Sequence, residues 1–396
     1  MNEICYHVEA CYKSLNKYKE ELCGDNVRLK REKDFFHMVL ADGLGSGVKA
    51  NILSNLTSTI ISEMVSSGEE LEDVIDTMIH TLPECKERGI AYSTFSIAQV
   101  FNYGLVYLAE FDNPKAIVLR DRQVLDLNYI NRKIIDKEVN EAVFKAHEND
   151  VILLFSDGLI HAGLGQSLNF GWDHKAIEDF VISTFRPNDK VEDMADILLA
   201  NVNYLYGGKC GDDSTVAIMK VVKAKNTIVM VGPPKNKEDD ALVVNKLMKA
   251  SGKKVCCGGT TSNIVARVLG KEISMDVDMS ALSVDVPPTV HIEGIDLATE
   301  GVLTLQKVVS YLRKMVDDSK LLKDVLLSKD HDGALDLLRV LINDSTMVTF
   351  MVGQSDNPAH KALAYSTISL NAKKQIIEEI AMYLRKLNKI VEVEYY

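Results

Sequence analysis

The stretch Phe35-Phe36-His37-Met38-Val39-Leu40-Ala41-Asp42-Gly43-Leu44-Gly45-Ser46-Gly47 decides how the first half of the chain is read. An almost uninterrupted apolar run, 35–41, stops at a carboxylate, and three glycines follow within five residues. Such a run reads as a buried strand. Closely spaced glycines read as a backbone forced through a tight, crowded turn. Asp42 is therefore expected at a strand end beside the Gly43 carbonyl, a hard-oxygen pair suited to Mg or Mn. Taken alone, a strand, a turn and a helix cap would explain the same residues. The arrangement recurs, however. The apolar run 151–155 ends in Ser156-Asp157-Gly158, and Gly211-Asp212-Asp213-Ser214-Thr215 precedes the apolar run 216–219. Asp25, in Cys23-Gly24-Asp25-Asn26, is a fourth candidate before the first strand. Charges at strand ends near a core are costly unless a cation or partner neutralises them. One shared metal site accounts for all four.

Bulk properties narrow the class. The 396 residues suffice for two or three domains, and 46% hydrophobic content permits a large core. A net charge of −12 without a basic face argues against nucleic acid as a partner. No apolar stretch reaches membrane-spanning length, so no membrane role is expected. Met1-Asn2-Glu3-Ile4-Cys5 lacks the pattern of a signal peptide. Seven cysteines, an odd number without framework spacing, point to reduced thiols and a cytoplasmic location.

Along the chain, residues 6–22 read as a helix and 28–33 as a charged, solvated hairpin turn. A helix is expected over 47–65, with Ile52, Leu53, Leu56, Ile60 and Met64 forming its apolar stripe. A second, from Leu71, carries Val74, Ile75, Met78, Ile79 and Leu82 on one face. The segments 92–101, 105–111, 116–119 and 124–127 read as a strand meander. Two more helices, 172–185 and 191–205, precede a closing strand over 216–222. This order implies an antiparallel α+β layered domain.

Ala41-Asp42-Gly43-Leu44-Gly45-Ser46-Gly47, Ser156-Asp157-Gly158-Leu159 and Gly211-Asp212-Asp213-Ser214-Thr215 resemble, in order and spacing, three signature blocks of one family. These are the SpoIIE/RsbU-type phosphatases, bacterial members of the type-2C (PPM, PP2C) metal-dependent serine/threonine phosphatases. Asn169-Phe170-Gly171 fits as well, and the resemblance covers about residues 20–222. It implies a PP2C-like antiparallel β-sandwich flanked by helix pairs. It also implies two Mn or Mg ions activating a water that attacks a phosphoserine or phosphothreonine, with no covalent intermediate. By the same resemblance Asp42 bridges both ions, the Gly43 carbonyl completes one site, Asp157 and Asp212 hold the other ion, and Asp25 lies near. The implied substrate is a phosphorylated protein, such as an anti-sigma-factor antagonist-like protein. The histidine that many eukaryotic relatives carry after the first block is Leu44 here, which leaves the general acid unassigned. His161, four residues beyond Asp157, is either a proton donor or, the simpler reading, a surface histidine near the site, and the arginine that some relatives use to bind phosphate has no clear match beyond Lys49. The helices after the first block are expected to act as a switch on the metal site.

Around 223–226 the pattern changes. Residues 226–396 read as a separate α/β domain of β-loop-α units. Gly258-Gly259-Thr260-Thr261-Ser262, at a helix start, could hold a small anionic ligand on backbone amides, or simply form a capped turn. Cys256 and Cys257 read as buried thiols, and Asp296 as the cap of a helix over 303–316. Met230-Val231-Gly232 is echoed by Met351-Val352-Gly353. The chain as a whole therefore reads as a Mn/Mg-dependent phosphoprotein phosphatase, domain 1–223, regulated by its C-terminal domain. The alternatives are a phosphatase-like signalling module without catalysis and a phosphatase of small phosphoesters.

Overall fold

The structure is a computed structural model describing residues 6–81, 93–135, 137–275, 289–317, 332–355 and 370–396. Two compact units, Met1–Lys223 and Ala224–Tyr396, divide the chain.

The first unit contains β1 (Tyr6–Leu15), β2 (Asp25–Arg31), β3 (Phe35–Gly43), α1 (Gly47–Ser67), α2 (Leu71–Thr81), β4 (Ser93–Phe101) and β5 (Leu105–Phe111). There follow β6 (Ile117–Arg120), β7 (Gln123–Val124), β8 (Ile130–Ile134), β9 (Lys137–Lys145), β10 (Val151–Phe155), α3 (Asp157–Ile160), α4 (His174–Thr184), α5 (Val191–Leu205) and β11 (Ser214–Lys223). Two antiparallel sheets, β1-β11-β10-β6-β7 and β2-β3-β4-β5-β9-β8, face each other. The period-2 alternation of β3 explains the layering. Phe36, Met38 and Leu40 enter the core between the sheets. Val39 faces the opposite way, into a second core with Ile61, Val74, Ile75 and Met78 of α1 and α2. A third core joins β10 and β11 to α4 and α5. This is the helix-flanked sandwich expected from the sequence.

Four readings are corrected. Residues 6–15 form β1 instead of a helix, because β11 offers a ten-pair antiparallel ladder from Tyr6↔Lys223 to Leu15↔Ser214. Arg28 to Arg31 continue β2 instead of turning; Arg28 donates to Asn55 Oδ1 (2.7 Å) and Lys30 to Glu63 Oε2 (2.9 Å), both on α1. The meander is broken: β6 leaves the sheet of β4 and β5 to pair with β10, and the unanticipated β8–β9 hairpin takes the edge of β5. Finally, α1 buries only part of the expected stripe: Ile60 and Met64 pack against the core under α1 and α2. Ile52 and Leu56 are 53% and 47% exposed, while Ala50, Ser54, Thr57, Ser58, Ile61 and Ser62 face the sheet. Small side chains let the helix lie close to β2 and β3; a Cβ on Gly43 would sit 2.1 Å from the Ala50 carbonyl oxygen. Hydroxyls then replace apolar contacts: Ser58 donates to Asn26 Oδ1 (2.8 Å), and Ser62 Oγ meets His37 Nε2 (2.8 Å).

The second unit contains β12 (Asn226–Val231), α6 (Asp240–Lys249), β13 (Lys253–Cys257), α7 (Gly259–Leu269), β14 (Ile273–Met275), β15 (Val290–Ile292) and β16 (Leu297–Thr299). It continues with α8 (Val302–Asp317), α9 (Gly333–Asn343), β17 (Met347–Val352), α10 (Leu370–Lys386) and β18 (Ile390–Tyr395). Five parallel strands run in the order β16-β13-β12-β17-β18, edged by the antiparallel β14 and β15. Helices α8, α9 and α10 cover one face and α6 and α7 the other. That is a doubly wound α/β unit. The sequence echo lies in register, Met230 beside Met351 and Val231 beside Val352. Cys256 and Cys257 are fully buried, and burial pushes both thiols up. Asp296 does not cap α8; its Oδ2 accepts from the Lys254 amide (2.8 Å).

Candidate active site

The antiparallel register of β2 and β3 sets Asp25 directly beside Asp42. The other sheet reaches the same place through a serine. Ser156, the residue after β10, donates from Oγ to Asp25 Oδ2 (2.7 Å) and accepts from the Thr215 amide of β11 (2.9 Å). Thus three strand ends from two sheets are tied at one point. Asp157 begins α3 immediately beyond Ser156, and Asp212 and Asp213 lie immediately before β11.

Glycines make this convergence sterically possible. A Cβ on Gly158 would lie 2.0 Å from the Asp213 carbonyl oxygen and 2.6 Å from Ser214 Oγ. A Cβ on Gly24 would lie 2.9 Å from Asp213 Oδ2, and the Gly24 carbonyl accepts from the Gly43 amide at 3.1 Å. Tyr206 of the α5 C-terminus donates its hydroxyl to the Gly158 carbonyl (2.8 Å), fixing α3 from behind.

The loop between β1 and β2 closes the site. The Lys17 amide donates to Asp213 Oδ1 (2.9 Å), and Lys17 Nζ lies 3.4 Å from Asp212 Oδ1. The Asp213 amide donates to Asp212 Oδ1 (3.1 Å). Farther along the loop, Glu20 Oε1 accepts from Ser46 Oγ (3.1 Å) at the start of α1.

The electrostatics follow from the crowding. Burial, then the charges of Asp25, Asp157 and Asp212, push the Asp42 carboxyl well above the usual carboxylate range. Burial also raises Asp25, opposed by its hydrogen bonds to Ser156 and Thr215. Burial and the neighbouring Asp212 raise Asp157, opposed by His161. Asp25 Oδ1 and Asp213 Oδ2 are buried without a hydrogen-bond partner. Buried, mutually repelling oxygens with unmet acceptor capacity are a donor set that a hard divalent cation fits. Among the described residues, no three His, Cys, Asp or Glu side chains stand at metal-coordinating spacing. The acids share an electrostatic neighbourhood without already forming a coordination sphere.

Asp25, Asp157 and Asp212 lie close enough to Asp42 for their charges to act on it, and Gly43 follows Asp42 in the chain. His161 sits one turn after Asp157, half-exposed, with Nε2 3.9 Å from Asp157 Oδ2. Lys49 is exposed on α1. Gly258 to Ser262 lie in the second unit, where Gly258 precedes α7 with φ +113° and the next four residues form its first turn. Ser156 and Thr215 lay inside the quoted blocks, but nothing in their spacing marked them as the link between the sheets. Lys17 carried no sequence signal at all, since only the β1–β11 ladder brings its loop to Asp212.

A family model described as Stage II sporulation protein E (SpoIIE) matches residues 32–222. Among solved structures, the SpoIIE phosphatase domain from Bacillus subtilis is similar at 18% identity and a TM-score of 0.44, covering 55% of this chain and 93% of that one. A longer SpoIIE structure from the same organism, comprising the PP2C phosphatase domain and a fragment of the regulatory domain, matches at 20% identity and 0.48, covering 55% and 64%. RsbX in complex with magnesium matches at 17% identity and 0.39, covering 56% and 97%. No curated protein matches in sequence.

Proposed function

Residues 32–222 are a SpoIIE-family domain of the PP2C phosphatase type, and on that premise we propose that the chain is a cytoplasmic, Mn- or Mg-dependent phosphoserine/phosphothreonine protein phosphatase. The observation carrying this reading is the junction at Ser156, which gathers Asp25, Asp42, Asp157 and Asp212 from separate strand ends. Asp42, the Gly43 carbonyl, Asp157 and Asp212 would hold two ions, with Asp25 supporting Asp42. Bound there, the ions would lower the pKa of a water toward neutrality and offset charge on the phosphoryl oxygens.

The chain's own groups orient and neutralise. Ser156, anchored by the Thr215 amide, donates to Asp25, which stands opposite Asp42 across the β2–β3 ladder. Gly158 lets α3 lie against Asp213, which sets the separation of Asp157 from Asp212. Lys17 places positive charge at the rim, facing an incoming phosphate dianion. The Glu20–Ser46 contact links that rim to α1, consistent with α1 acting as a switch on the site.

The second unit is proposed as a regulatory module. The turn from Gly258 to Ser262 offers amides at Gly259 and Thr260 to a small anion, since Thr261 Oγ1 is already engaged by Cys257 O and the Gly232 amide. A phosphorylated anti-sigma-factor antagonist-like protein is the proposed substrate class.

The test is hydrolysis of para-nitrophenyl phosphate and of a phosphoserine peptide with manganese, alongside calorimetric manganese binding. Asp42→Asn should stay folded, bind manganese more weakly and lose roughly a hundredfold or more in turnover. Wild-type protein inert toward both substrates at saturating manganese, or an Asp42→Asn variant as active as wild type, would refute the reading.

A further inference from the structure

We propose that the N-termini of α7 and α8 together form a crevice in the second unit that binds the phosphoryl group of a small ligand, either a nucleotide or free phosphate. The inference rests on the anion reading of the Gly258 turn. It adds a second helix, two buried hydroxyls and a ligand class.

The sheet topology opens the crevice. β13 and β16 are parallel neighbours, and their chains leave the sheet for opposite faces. α7 packs with α6 on one face, and α8 with α9 and α10 on the other. Such a divergence leaves a cleft outside the carboxyl ends of the strands, the usual ligand site of open α/β sheets. Glycines line this one. A Cβ on Gly301 would stand 3.4 Å from Gly258 Cα, so the two residues lie side by side. A Cβ on Gly259 would meet nothing within 4 Å, which leaves open space over the first residue of α7.

Neither helix end is neutralised from within. Gly258 gives α7 no side-chain cap, and the first turns of α7 and α8 carry no acidic residue. Glu300, just before α8, has its side chain in solvent. The first amides of each helix have no partner inside it, and both dipoles place partial positive charge here.

Two hydroxyls point independently to a ligand. Ser262 Oγ and Thr304 Oγ1 have no hydrogen-bond partner among the described residues, and the two side chains belong to residues 2% and 0% exposed. Helical side chains lean toward the N-terminus, over the residue three or four positions back. For Ser262 that residue is Gly258, and for Thr304 it is Gly301. Both hydroxyls therefore lean toward the glycine contact. Neighbouring hydroxyls are engaged: Thr261 Oγ1 meets the Cys257 carbonyl (3.0 Å) and the Gly232 amide (2.9 Å), and Thr299 Oγ1 meets the Glu300 carbonyl (2.9 Å). On α1, Ser66 and Ser67 donate to the carbonyl four residues back, a bond that Ser262 does not make. A buried hydroxyl without a partner is costly, and a phosphoryl oxygen is an acceptor that fits both. Its tetrahedral oxygens and double charge suit donors converging from two helices.

The experiment titrates the full chain with inorganic phosphate, ADP and ATP, in EDTA so that the catalytic acids hold no metal, and reads calorimetry and melting temperature. Wild type should bind at least one of them with a Kd of about 1 mM or tighter. Gly259→Asp sets a carboxylate in the open space at the start of α7. It should raise the melting temperature of the free chain and abolish binding. Ser262→Ala and Thr304→Val should each weaken binding about tenfold without lowering the melting temperature of the free chain, since each removes an unpaired buried hydroxyl. Tighter binding of ADP or ATP than of phosphate would support a nucleotide, and equal binding the free anion. Binding lost in Gly259→Asp but unchanged in both hydroxyl variants would overturn the two-helix site and leave the anion reading of the Gly258 turn standing. A wild type that binds none of the three, or a Gly259→Asp variant that binds as wild type does, would overturn both.

Discussion

Gly158→Ala tests whether the acids act as one site. The added methyl would start 2.0 Å from the Asp213 carbonyl oxygen and 2.6 Å from Ser214 Oγ. Ordinary contact begins near 3.4 Å, so α3 and the segment before β11 must separate by about 1.4 Å. The Ser214 hydroxyl can rotate away, but the closer contact is with a backbone oxygen that cannot, and Tyr206 holds α3 from behind. Overpacking of this kind costs about 1–3 kcal/mol of stability. A domain with several large cores survives that loss. The functional effect is larger. Displacement of reacting groups by about 1 Å costs on the order of a hundredfold in rate, about 2.7 kcal/mol. The expected outcome is a cooperatively folded variant whose melting point falls by only a few degrees. Its manganese affinity should fall, and its turnover of para-nitrophenyl phosphate should drop about a hundredfold. Calorimetric titration and circular-dichroism melts, read with the kinetics, separate these effects. If Gly158→Ala melts lower but keeps manganese affinity and turnover within about threefold, Asp157 and Asp212 do not need the observed spacing, and the shared-site argument fails.

Two further outcomes follow from groups outside the four acids. Burial raises Glu110 from 4.5 to about 7, even though its Oε1 accepts from the Ala116 amide (2.6 Å) and Tyr129 OH (3.0 Å); the other oxygen has no partner. The folded chain therefore keeps a proton that the unfolded chain releases, so stability should fall as pH rises from 4.5 through 7, by up to about 3 kcal/mol. Glu110→Gln, which keeps the acceptor and supplies a donor, should flatten that slope and raise the urea midpoint at pH 8; an unchanged slope would show that Glu110 is not the group responsible. Lys17→Met should tighten manganese binding, because an ammonium 3.4 Å from Asp212 competes with the cation for the same oxygens. The pair is partly exposed, so the gain is at most about 1 kcal/mol, some fivefold in Kd, and weaker binding by the variant would contradict it.

Two of the strands that lead to the acids, β3 and β10, were legible because they are buried on both faces and read as almost continuous apolar runs, 35–41 and 151–155, whereas the charged β2 was not. The block order carried the family. The helix misread over 6–22 shows the limit of periodicity, since a half-buried edge strand has weak alternation and its partner lies some two hundred residues away. The apolar stripe of α1 failed in part, for a different reason. Periodicity identifies a hydrophobic face, but close approach to β2 and β3 selected the small, hydroxyl-bearing face for burial and left Ile52 and Leu56 in solvent.

By itself, the sequence determined the buried strands β3 and β10, the glycine turns that follow them, and carboxylates at the ends of apolar runs. Those are local properties: hydrophobic runs, conformational freedom without a Cβ, and carboxylates at run ends. Only the tertiary structure decided that Ser156 joins the two sheets at Asp25 and that the loop of Lys17 reaches Asp212 and Asp213. Each of these depends on strand register or on backbone contact between distant segments, and register is settled by the packing of all the strands together.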